Sequence, residues 1–367
     1  MNKVTEMSVS TPEQFLKAIR ISQNILSENT IINVINHGEC FARTTKLVSE
    51  LQLGITSLYK STSGSFATAQ LSGYSLRLIS DPFGRFSKVL VNSRYFSNTK
   101  ELNDLICICA EIAELLNLKV RESNNTLEKI NLFDKWVSDN FEYKNTNQVE
   151  DHTAIELLKN RSGVCQAIAA IAVLVLSYMG EKVLYISGEG KGKNGWGLHA
   201  WNAVKINGQW THVDFTFSMN SLRLPCTKSE IEEMMFKLVH RWDINEFCEH
   251  SMENKWKNIY WQFGEKTDIY INDSKCCING INVQFEEPLI IHYKQNKYID
   301  IAGIIQLLGG GIEMIPPSDI VNICVCNKRY VIKNALKNYN NGYFDSRILS
   351  CIWENEWIDG TTLRITI

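Results

Sequence analysis

The sequence lacks the features that mark membrane, nucleic-acid-binding and exported proteins. Its longest uninterrupted apolar run, 167–176, has ten residues, about half of the roughly 20 that a membrane-spanning helix needs. No block of basic residues occurs and the formal net charge is −2, so no electrostatic footprint for nucleic acid or an anionic membrane is present. Residues 1–10 are polar and lack the apolar segment of a secretory signal. We therefore expect a cytoplasmic protein that binds neither nucleic acid nor membrane.

The eleven cysteines form no familiar disulfide or metal framework. Their number is odd, and no pair has the Cys-x-x-Cys spacing of zinc ribbons or thioredoxin-like sites. We interpret them as reduced thiols, most of them buried as small apolar residues. The spacing of His240, Cys248 and His250 matches no standard metal site. We expect these three to be ordinary helix residues, and we predict no metal and no other cofactor.

Only six prolines and no low-complexity linker mark the domain boundaries. With 44% apolar and 21% charged residues, the 367-residue chain has an ordinary globular composition and room for two or three cores. The pattern predicts an α/β amino-terminal region over 1–120, a central core over 121–265 and a small β-rich accessory domain over 266–367. The last boundary follows a change to short β-like runs broken by Asn-Gly, Pro and Gly.

Capping residues predict where helices begin. Candidate N-caps are Thr11, Ser97 or Asn98, Asn125 or Thr126, and Thr153. A turn at 81–84 predicts a β-hairpin that joins 67–80 to 87–92. Residues 227–263 predict a further helical stretch, whose Trp and Met residues we interpret as core packing.

Cys165 is predicted to lie in the first turn of a buried helix. Ser162-Gly163 interrupts the chain, and the following apolar segment runs to Met179 and ends at Gly180. The unsatisfied N–H groups of a helix start amount to about half a positive charge, which favours a thiolate and can bind an oxyanion. The position alone leaves open that Cys165 is one more buried thiol.

A β-hairpin with a type I′ turn is predicted at Asn207-Gly208. Its register places His199, Trp201 and Asp214 on one face, with His199 and Asp214 as diagonal neighbours about 7–8 Å apart. That distance lets a carboxylate orient an imidazole. A polar pair on a solvated surface is the ordinary alternative, although Trp201 on the same face favours a covered site. We interpret the nearby His212 as a structural neighbour.

Three motifs follow one another in the chain: Val164-Cys165-Gln166, His199-Ala200-Trp201-Asn202, and 210–216, which reads Trp-Thr-His-Val-Asp-Phe-Thr. In these motifs the chain resembles bacterial members of the transglutaminase-like superfamily, which have papain-like folds. Residues 140–143 and 152–154 also look like the family's approach to the cysteine. The resemblance covers about residues 125–220.

The resemblance implies an α+β fold with a papain-like core, in which the helix bearing the cysteine packs on an antiparallel sheet. It implies Cys165 as nucleophile, His199 as general base and acid, and Asp214 as the residue that orients His199. Such a site forms a thioacyl intermediate from a protein or peptide substrate. Gln166, Trp201 and Trp196 are the candidates for substrate or oxyanion binding.

Two features depart from the family pattern. Ala167-Ile168 stands where the family usually has Gly-Tyr, which puts the substrate class and even the activity in question. Residues 188–197 contain five glycines and could let Trp196 move over the site as a lid. A plain flexible connection is as good an interpretation of this segment.

Residues 268–335 resemble, more weakly, the accessory domain named after the amino terminus of copper amine oxidases. The resemblance lies in 278–291 and 304–310, and 298–301 departs from it. It implies a binding or packing role and no copper site.

For the whole chain we predict a thiol-dependent hydrolase or acyltransferase that acts on peptide or amide bonds. Hydrolysis is favoured over cross-linking, because an open thiol site admits water whereas cross-linking requires a channel for an amine. The alternative is a catalytically inactive member that binds peptides or proteins, which Ala167-Ile168 would favour.

Overall fold

The computed structural model describes residues 3–35, 71–121, 125–219, 230–245, 247–259, 267–293, 295–315, 320–333, 335 and 343–367. The α-helices within these residues are α1 (Pro12–Asn24), α2 (Thr99–Asn117), α3 (Thr126–Asn140), α4 (Ala154–Asn160), α5 (Cys165–Tyr178), α6 (Phe215–Met219), α7 (Glu230–Val239), α8 (Glu249–Ile259) and α9 (Ile301–Leu307). None of them combines the length and the apolar content that crossing a lipid bilayer requires.

The β-strands of the same residues are β1 (Val4–Val9), β2 (Asn29–Val34), β3 (Leu71–Ser80), β4 (Phe86–Tyr95), β5 (Glu142–Tyr143), β6 (Ser162–Gly163), β7 (Val183–Gly192), β8 (Gly195–Ile206), β9 (Gln209–Val213), β10 (His240–Arg241), β11 (Asp268–Asn272), β12 (Lys275–Ile278), β13 (Ile281–Phe285), β14 (Ile290–Tyr293), β15 (Asn296–Ile299), β16 (Gly311–Ile315), β17 (Ile320–Val325), β18 (Lys328–Lys333), β19 (Phe344–Asp345), β20 (Glu354–Ile358) and β21 (Thr362–Thr366). Short 3₁₀ helices lie at Val149–His152 and Ser346–Cys351. The class is α+β, as the sequence predicts.

The first and last segments of the chain lie in one nine-stranded sheet. Its strand order is β20-β21-β11-β12-β13-β1-β2-β4-β3. β1 pairs antiparallel with β13 and parallel with β2, to which α1 connects it. The described chain accordingly divides into two compact units, one made of 3–35, 71–95 and 267–367 and the other of 96–259.

This division differs from the three consecutive regions that the sequence predicts. The amino-terminal strands share a unit with the carboxy-terminal strands, and α2 belongs to the central unit. The cause is pairing between segments far apart in the chain, as between Met7 and Val283. Local patterns of polarity and turn residues carry no information about such a partner.

Most predicted local elements are confirmed. The side chains of Thr11, Asn98, Asn125 and Thr153 each accept a hydrogen bond from a backbone N–H in the first turns of α1 to α4. β3 and β4 form the predicted hairpin, and residues 67–70 of that prediction lie outside the described residues.

The central unit is built on a four-stranded antiparallel sheet in the order β10-β7-β8-β9. The apolar helix α5 packs against β7 and β8, and α2 to α4 pack against α5. Eleven of the fourteen residues of α5 are buried. Each fully buried Val, Leu or Ile side chain contributes roughly 1.5–3 kcal/mol to the stability of the fold. Strand β10 interrupts the helical stretch predicted over 227–263, of which 227–229 and 260–263 lie outside the described residues.

Candidate active site

Cys165 is the first residue of α5, and the helix start around it offers free donors. Val164 is the extended N-cap residue, with no side-chain cap and no acidic residue in the first turn. The N–H groups of Ala167 and Ile168 donate to the Val164 carbonyl, whereas those of Cys165 and Gln166 have no acceptor among the described residues. This arrangement can stabilise a thiolate or an oxyanion.

Gly163 brings the chain into Cys165 through a tightly packed site. A Cβ atom there would lie 3.0 Å from the Asp151 carbonyl oxygen and 3.2 Å from Leu157 Cδ1. Gly163 also belongs to β6, which pairs in parallel with β5. Glycine is therefore needed here for close packing, in addition to the break in the chain that the sequence indicates.

The predicted hairpin register brings His199 to Asp214. Strands β8 and β9 pair in the register that the Asn207-Gly208 turn predicts, with Ala203 opposite His212. His199 Nε2 lies 2.6 Å from Asp214 Oδ2. The Cys165 side chain lies close enough to the His199 ring to raise its pKa. With Nε2 at Asp214, the other ring nitrogen, Nδ1, is the one available to the sulfur.

The protonation states follow from these contacts. Burial lowers the pKa of His199, but hydrogen bonds and charge interactions with Asp214 and Cys165 outweigh burial and raise it to about 10. Burial raises the pKa of Asp214, but hydrogen bonds from two histidines outweigh it and lower this pKa to about 2. At neutral pH the site therefore holds an imidazolium between a carboxylate and the sulfur.

Asp214 is 1% exposed and accepts four hydrogen bonds. Its Oδ1 accepts from the backbone N–H groups of Thr216 at 2.8 Å and Phe217 at 3.4 Å, at the start of α6. Its Oδ2 accepts from the ring of His199 and from a second histidine, His240. A buried charge requires this degree of compensation.

His240 is a residue of the site that is not predicted from the sequence. Its Nε2 lies 2.8 Å from Asp214 Oδ2, and its side chain is fully buried. The sequence pattern predicts a helix at this position, whereas His240 lies in β10, opposite Gly190 of β7. No local signal marks it, because only the pairing of β10 with β7 brings it to Asp214.

Two glycines of the segment predicted to be a loop or hinge make room for the aromatic rings of the site. Residues 188–197 are mostly paired strand, in β7 and β8. A Cβ at Gly190 would lie 2.8 Å from His199 Cγ, and one at Gly188 would lie 2.6 Å from the Trp201 ring. Close approach therefore accounts for these two glycines better than flexibility does.

The three predicted substrate-binding residues lie in different environments. Trp201 is 1% exposed and its indole N–H donates to His212 Nδ1 at 2.9 Å, so it offers no donor to an oxyanion. The Trp196 ring is half-buried beneath the guanidinium of Arg241, 3.8 Å away. Gln166 follows Cys165 directly, and its Oε1 lies 3.1 Å from His152 Nδ1.

His212 is a buried structural residue. Burial and the charges of His240 and Lys237 lower its pKa to about 3, so it is neutral and can accept the Trp201 hydrogen bond. This agrees with its interpretation as a structural neighbour.

The pKa values of two tyrosines are raised by burial and by the charge of the site. Burial, followed by the charges of Cys165 and Asp214, raises the pKa of Tyr143 to about 12. Tyr185 is fully buried, and burial together with the charge of Cys165 raises its pKa well above the ordinary value. Tyr143 lies in β5 and is 38% exposed. The sequence marks 140–143 through the family resemblance but gives Tyr143 no role.

Among the described residues, one cluster of side chains could in principle hold a metal ion. It consists of His199, Asp214 and His240, whose potential ligand atoms lie within 4.8 Å of one another. Both Nε2 atoms point at a single oxygen, at 2.6 and 2.8 Å. A cation would need to lie about 2.0–2.2 Å from each ligand, and it would have to break both hydrogen bonds. The geometry therefore fits a hydrogen-bonded network better than a metal site. Cys248 and His250 do not join this group.

The central unit is an α+β domain with a papain-like arrangement, in which a cysteine-bearing helix packs on an antiparallel sheet. Residues 114–215 match the model of the transglutaminase-like superfamily. No curated protein is similar enough to the chain to count as a relative.

Several solved structures share parts of the arrangement. A transglutaminase, described only as a TGase, is 15% identical with a TM-score of 0.27, covering 52% of this chain and 51% of its own. A candidate cysteine protease from Cytophaga hutchinsonii is 14% identical (TM-score 0.27; 61% and 81% covered). The periplasmic domain of TgpA from Pseudomonas aeruginosa, bound to ethylmercury, is 19% identical (TM-score 0.26; 42% and 66% covered). The chain thus spans about half the length of the first of these proteins, and scores this low carry no conclusion about activity.

Proposed function

We propose that this chain is a thiol-dependent hydrolase or acyltransferase that acts on peptide or amide bonds, with Cys165, His199 and Asp214 as its catalytic residues. The observation that carries the proposal is the position of the His199 ring, which lies 2.6 Å from the buried Asp214 carboxylate and close enough to the Cys165 side chain for the two to interact. The match of residues 114–215 to the transglutaminase-like superfamily supports the same chemistry.

In the first half of the reaction, the Cys165 thiolate attacks the carbonyl carbon of an amide and forms a carbon–sulfur bond. The free N–H groups at the start of α5 offer hydrogen bonds to the oxyanion. The carbon–nitrogen bond then breaks, and His199 gives its proton to the departing amine. The product on the enzyme is a thioester.

In the second half, a water molecule attacks the thioester while His199 takes a proton from it. The carbon–sulfur bond breaks, the acid leaves, and the thiolate–imidazolium pair is restored. An amine in place of water would give a new amide. We favour water, because it reaches any open thiol site whereas an amine needs a binding channel.

The alternative, a catalytically inactive protein that binds peptides, rests on Ala167-Ile168. The packing of these two residues gives it little support. Both side chains are buried, at 0% and 1% exposed, so the exchange from Gly-Tyr changes the packing of α5 and not the exposed surface beside Cys165. We also propose a reducing, cytoplasmic setting and a protein or peptide substrate. The nine cysteines that the structure describes are all free thiols.

The test uses wild type, Cys165→Ala and, as a matched control, Cys248→Ala, which removes an exposed cysteine remote from the triad in sequence. Each protein is incubated with a mixture of casein peptides, and mass spectrometry follows new termini, deamidated glutamine and incorporated amine. We expect activity in wild type and Cys248→Ala and none in Cys165→Ala. Full turnover by Cys165→Ala would refute the mechanism.

A further inference from the structure

His240 presents both of its ring nitrogens to oxygen atoms that can only accept. Nε2 lies 2.8 Å from Asp214 Oδ2, and Nδ1 lies 3.2 Å from the carbonyl oxygen of Phe236. A neutral imidazole carries one N–H and can donate to only one of these oxygens. Both contacts are satisfied only when the ring carries two protons and a positive charge.

The packing around His240 fixes the ring in this position. Its side chain is fully buried, and its ring lies parallel to that of Phe236, with 3.7 Å between centroids and an interplanar angle of 4°. The ring of Trp201 packs against it at 5.0 Å. The position on β10 is set by pairing with Gly190. A fully buried imidazole with this many fixed contacts has one orientation toward Asp214.

We propose that His240 is a positioning residue whose ring donates from both nitrogens, which fixes the Asp214 carboxylate and balances part of its charge. This inference rests on the function proposed above and concerns the same site. Asp214 then lies between two imidazoliums, and together with the Cys165 thiolate the four groups have no net charge. A carboxylate bound by His199 alone would hold the proton of His199 more firmly and release it less readily to a leaving amine.

The other titratable groups that face His240 are consistent with this charge balance. Asp214 and His199 lie on one side of the ring, and His212 lies nearby on β9. Burial and the charges of His240 and Lys237 lower the pKa of His212, which stays neutral. In the proposed arrangement His240 is the second cation of this buried cluster, and Asp214 is its anion.

The proposal is tested first by the pH dependence of Cys165 alkylation by iodoacetamide, which needs no substrate. His240→Phe keeps a ring against Phe236 but removes the donor and the charge. His240→Gln keeps an N–H donor for Asp214 without the charge. In the Phe variant Asp214 loses a hydrogen bond and the site loses one buried positive charge, which disfavours the Cys165 thiolate, so we expect the half-rise of alkylation to move upward by about one to two pH units. The Gln variant restores the hydrogen bond but not the charge, so it should recover only part of this shift.

A second measurement reads the charge of His240 directly in the wild-type protein. Nitrogen-15 spectra of histidine-labelled protein should show two protonated ring nitrogens for His240 at pH 7, with the resonances assigned by their loss in His240→Gln. Once a substrate is known, kcat should fall about 10- to 100-fold in His240→Phe, the range expected for losing a hydrogen bond to a charged group, while KM changes little.

The outcomes separate this inference from the proposed function. Wild-type Cys165 that reacts as slowly as Cys248 at about pH 6–7 would refute the thiolate–imidazolium pair, and with it the proposed function. Rapid wild-type labelling with an unchanged profile in a folded His240→Phe would refute the role of His240 alone. A single protonated ring nitrogen on His240 would likewise overturn its charge, whether or not the variants fold.

Discussion

Replacement of Gly190 by alanine tests whether the glycines of β7 are there to accommodate the His199 ring. The added Cβ would lie 2.8 Å from Cγ, 2.9 Å from Cδ2 and 3.0 Å from Cβ of His199. Carbon atoms in good contact are about 3.5–4.0 Å apart, so the ring must retreat by about 0.7 Å. The atoms it meets are near the His199 backbone, where a side chain has little freedom to yield.

The retreat should weaken the contact on which His199 depends. The Nε2–Oδ2 distance to Asp214 is 2.6 Å, and a shift of this size along the contact takes it to about 3.3 Å, where a hydrogen bond is weak. Misplacing a catalytic group by about 1 Å can cost roughly 100-fold in rate. We expect Gly190→Ala to slow both turnover and Cys165 alkylation by about that factor. Overpacking costs about 1–3 kcal/mol of stability, so the domain should still fold.

Gly197→Ala is the matched control. Gly197 is the direct partner of Gly190 in the β7–β8 pairing, and a Cβ there would meet nothing within 4 Å. Both variants exchange glycine for alanine at one level of one hairpin, so they share the change in unfolded-chain entropy. Thermal unfolding and near-ultraviolet circular dichroism confirm folding before rates are compared. Wild-type rates in a folded Gly190→Ala would refute the steric argument.

Two further predictions concern charge and donors in the same site. Because the pKa of Asp214 falls from 3.8 to about 2 and that of His199 rises from 6.5 to about 10, the pair stabilises the fold most between about pH 4 and 6.5. The contribution of Asp214 to stability is lost as pH falls toward 2, and that of His199 is lost as pH rises through 10. The free energy of unfolding in urea should therefore differ most between wild type and Asp214→Asn inside that window. An equally large difference at pH 10 would contradict the ion pair. Tyr143→Phe, which removes a hydroxyl whose pKa responds to the charge of Cys165, should slow turnover roughly tenfold with Cys165 alkylation unchanged. Turnover at the wild-type rate would exclude that hydroxyl from the reaction.

The parts of the site that depend on short-range rules are accessible from the sequence. Asn207-Gly208 sets the register of β8 and β9, and the register alone brings His199 toward Asp214. The apolar run after Gly163 predicts the helix that begins at Cys165. In both cases the deciding interaction joins residues close in the chain, where turn geometry and helical periodicity are reliable.

The parts that depend on distant pairing are not accessible in this way. His240 reaches Asp214 only because β10 pairs with β7, and a two-residue strand has no periodicity from which to predict it. The nine-stranded sheet likewise joins β1 to β13. The glycines of β7 illustrate a different difficulty, since glycine is selected both for flexibility and for close approach, and only the coordinates of the opposite side chain distinguish the two.

The substitution of Gly-Tyr by Ala167-Ile168 is the strongest argument from sequence against activity, and the structure weakens it. The Ile168 side chain is buried in the packing of α5, so its identity affects the core. A hydroxyl near the thiol is available instead from Tyr143 on β5, which pairs with the strand that leads into Cys165. With its pKa raised to about 12 by burial and by the charges of Cys165 and Asp214, that hydroxyl keeps its proton at neutral pH and can donate it to a bound carbonyl. A tyrosine from a different part of the chain can therefore serve the same sulfur, so Ala167-Ile168 alone does not imply an inactive protein.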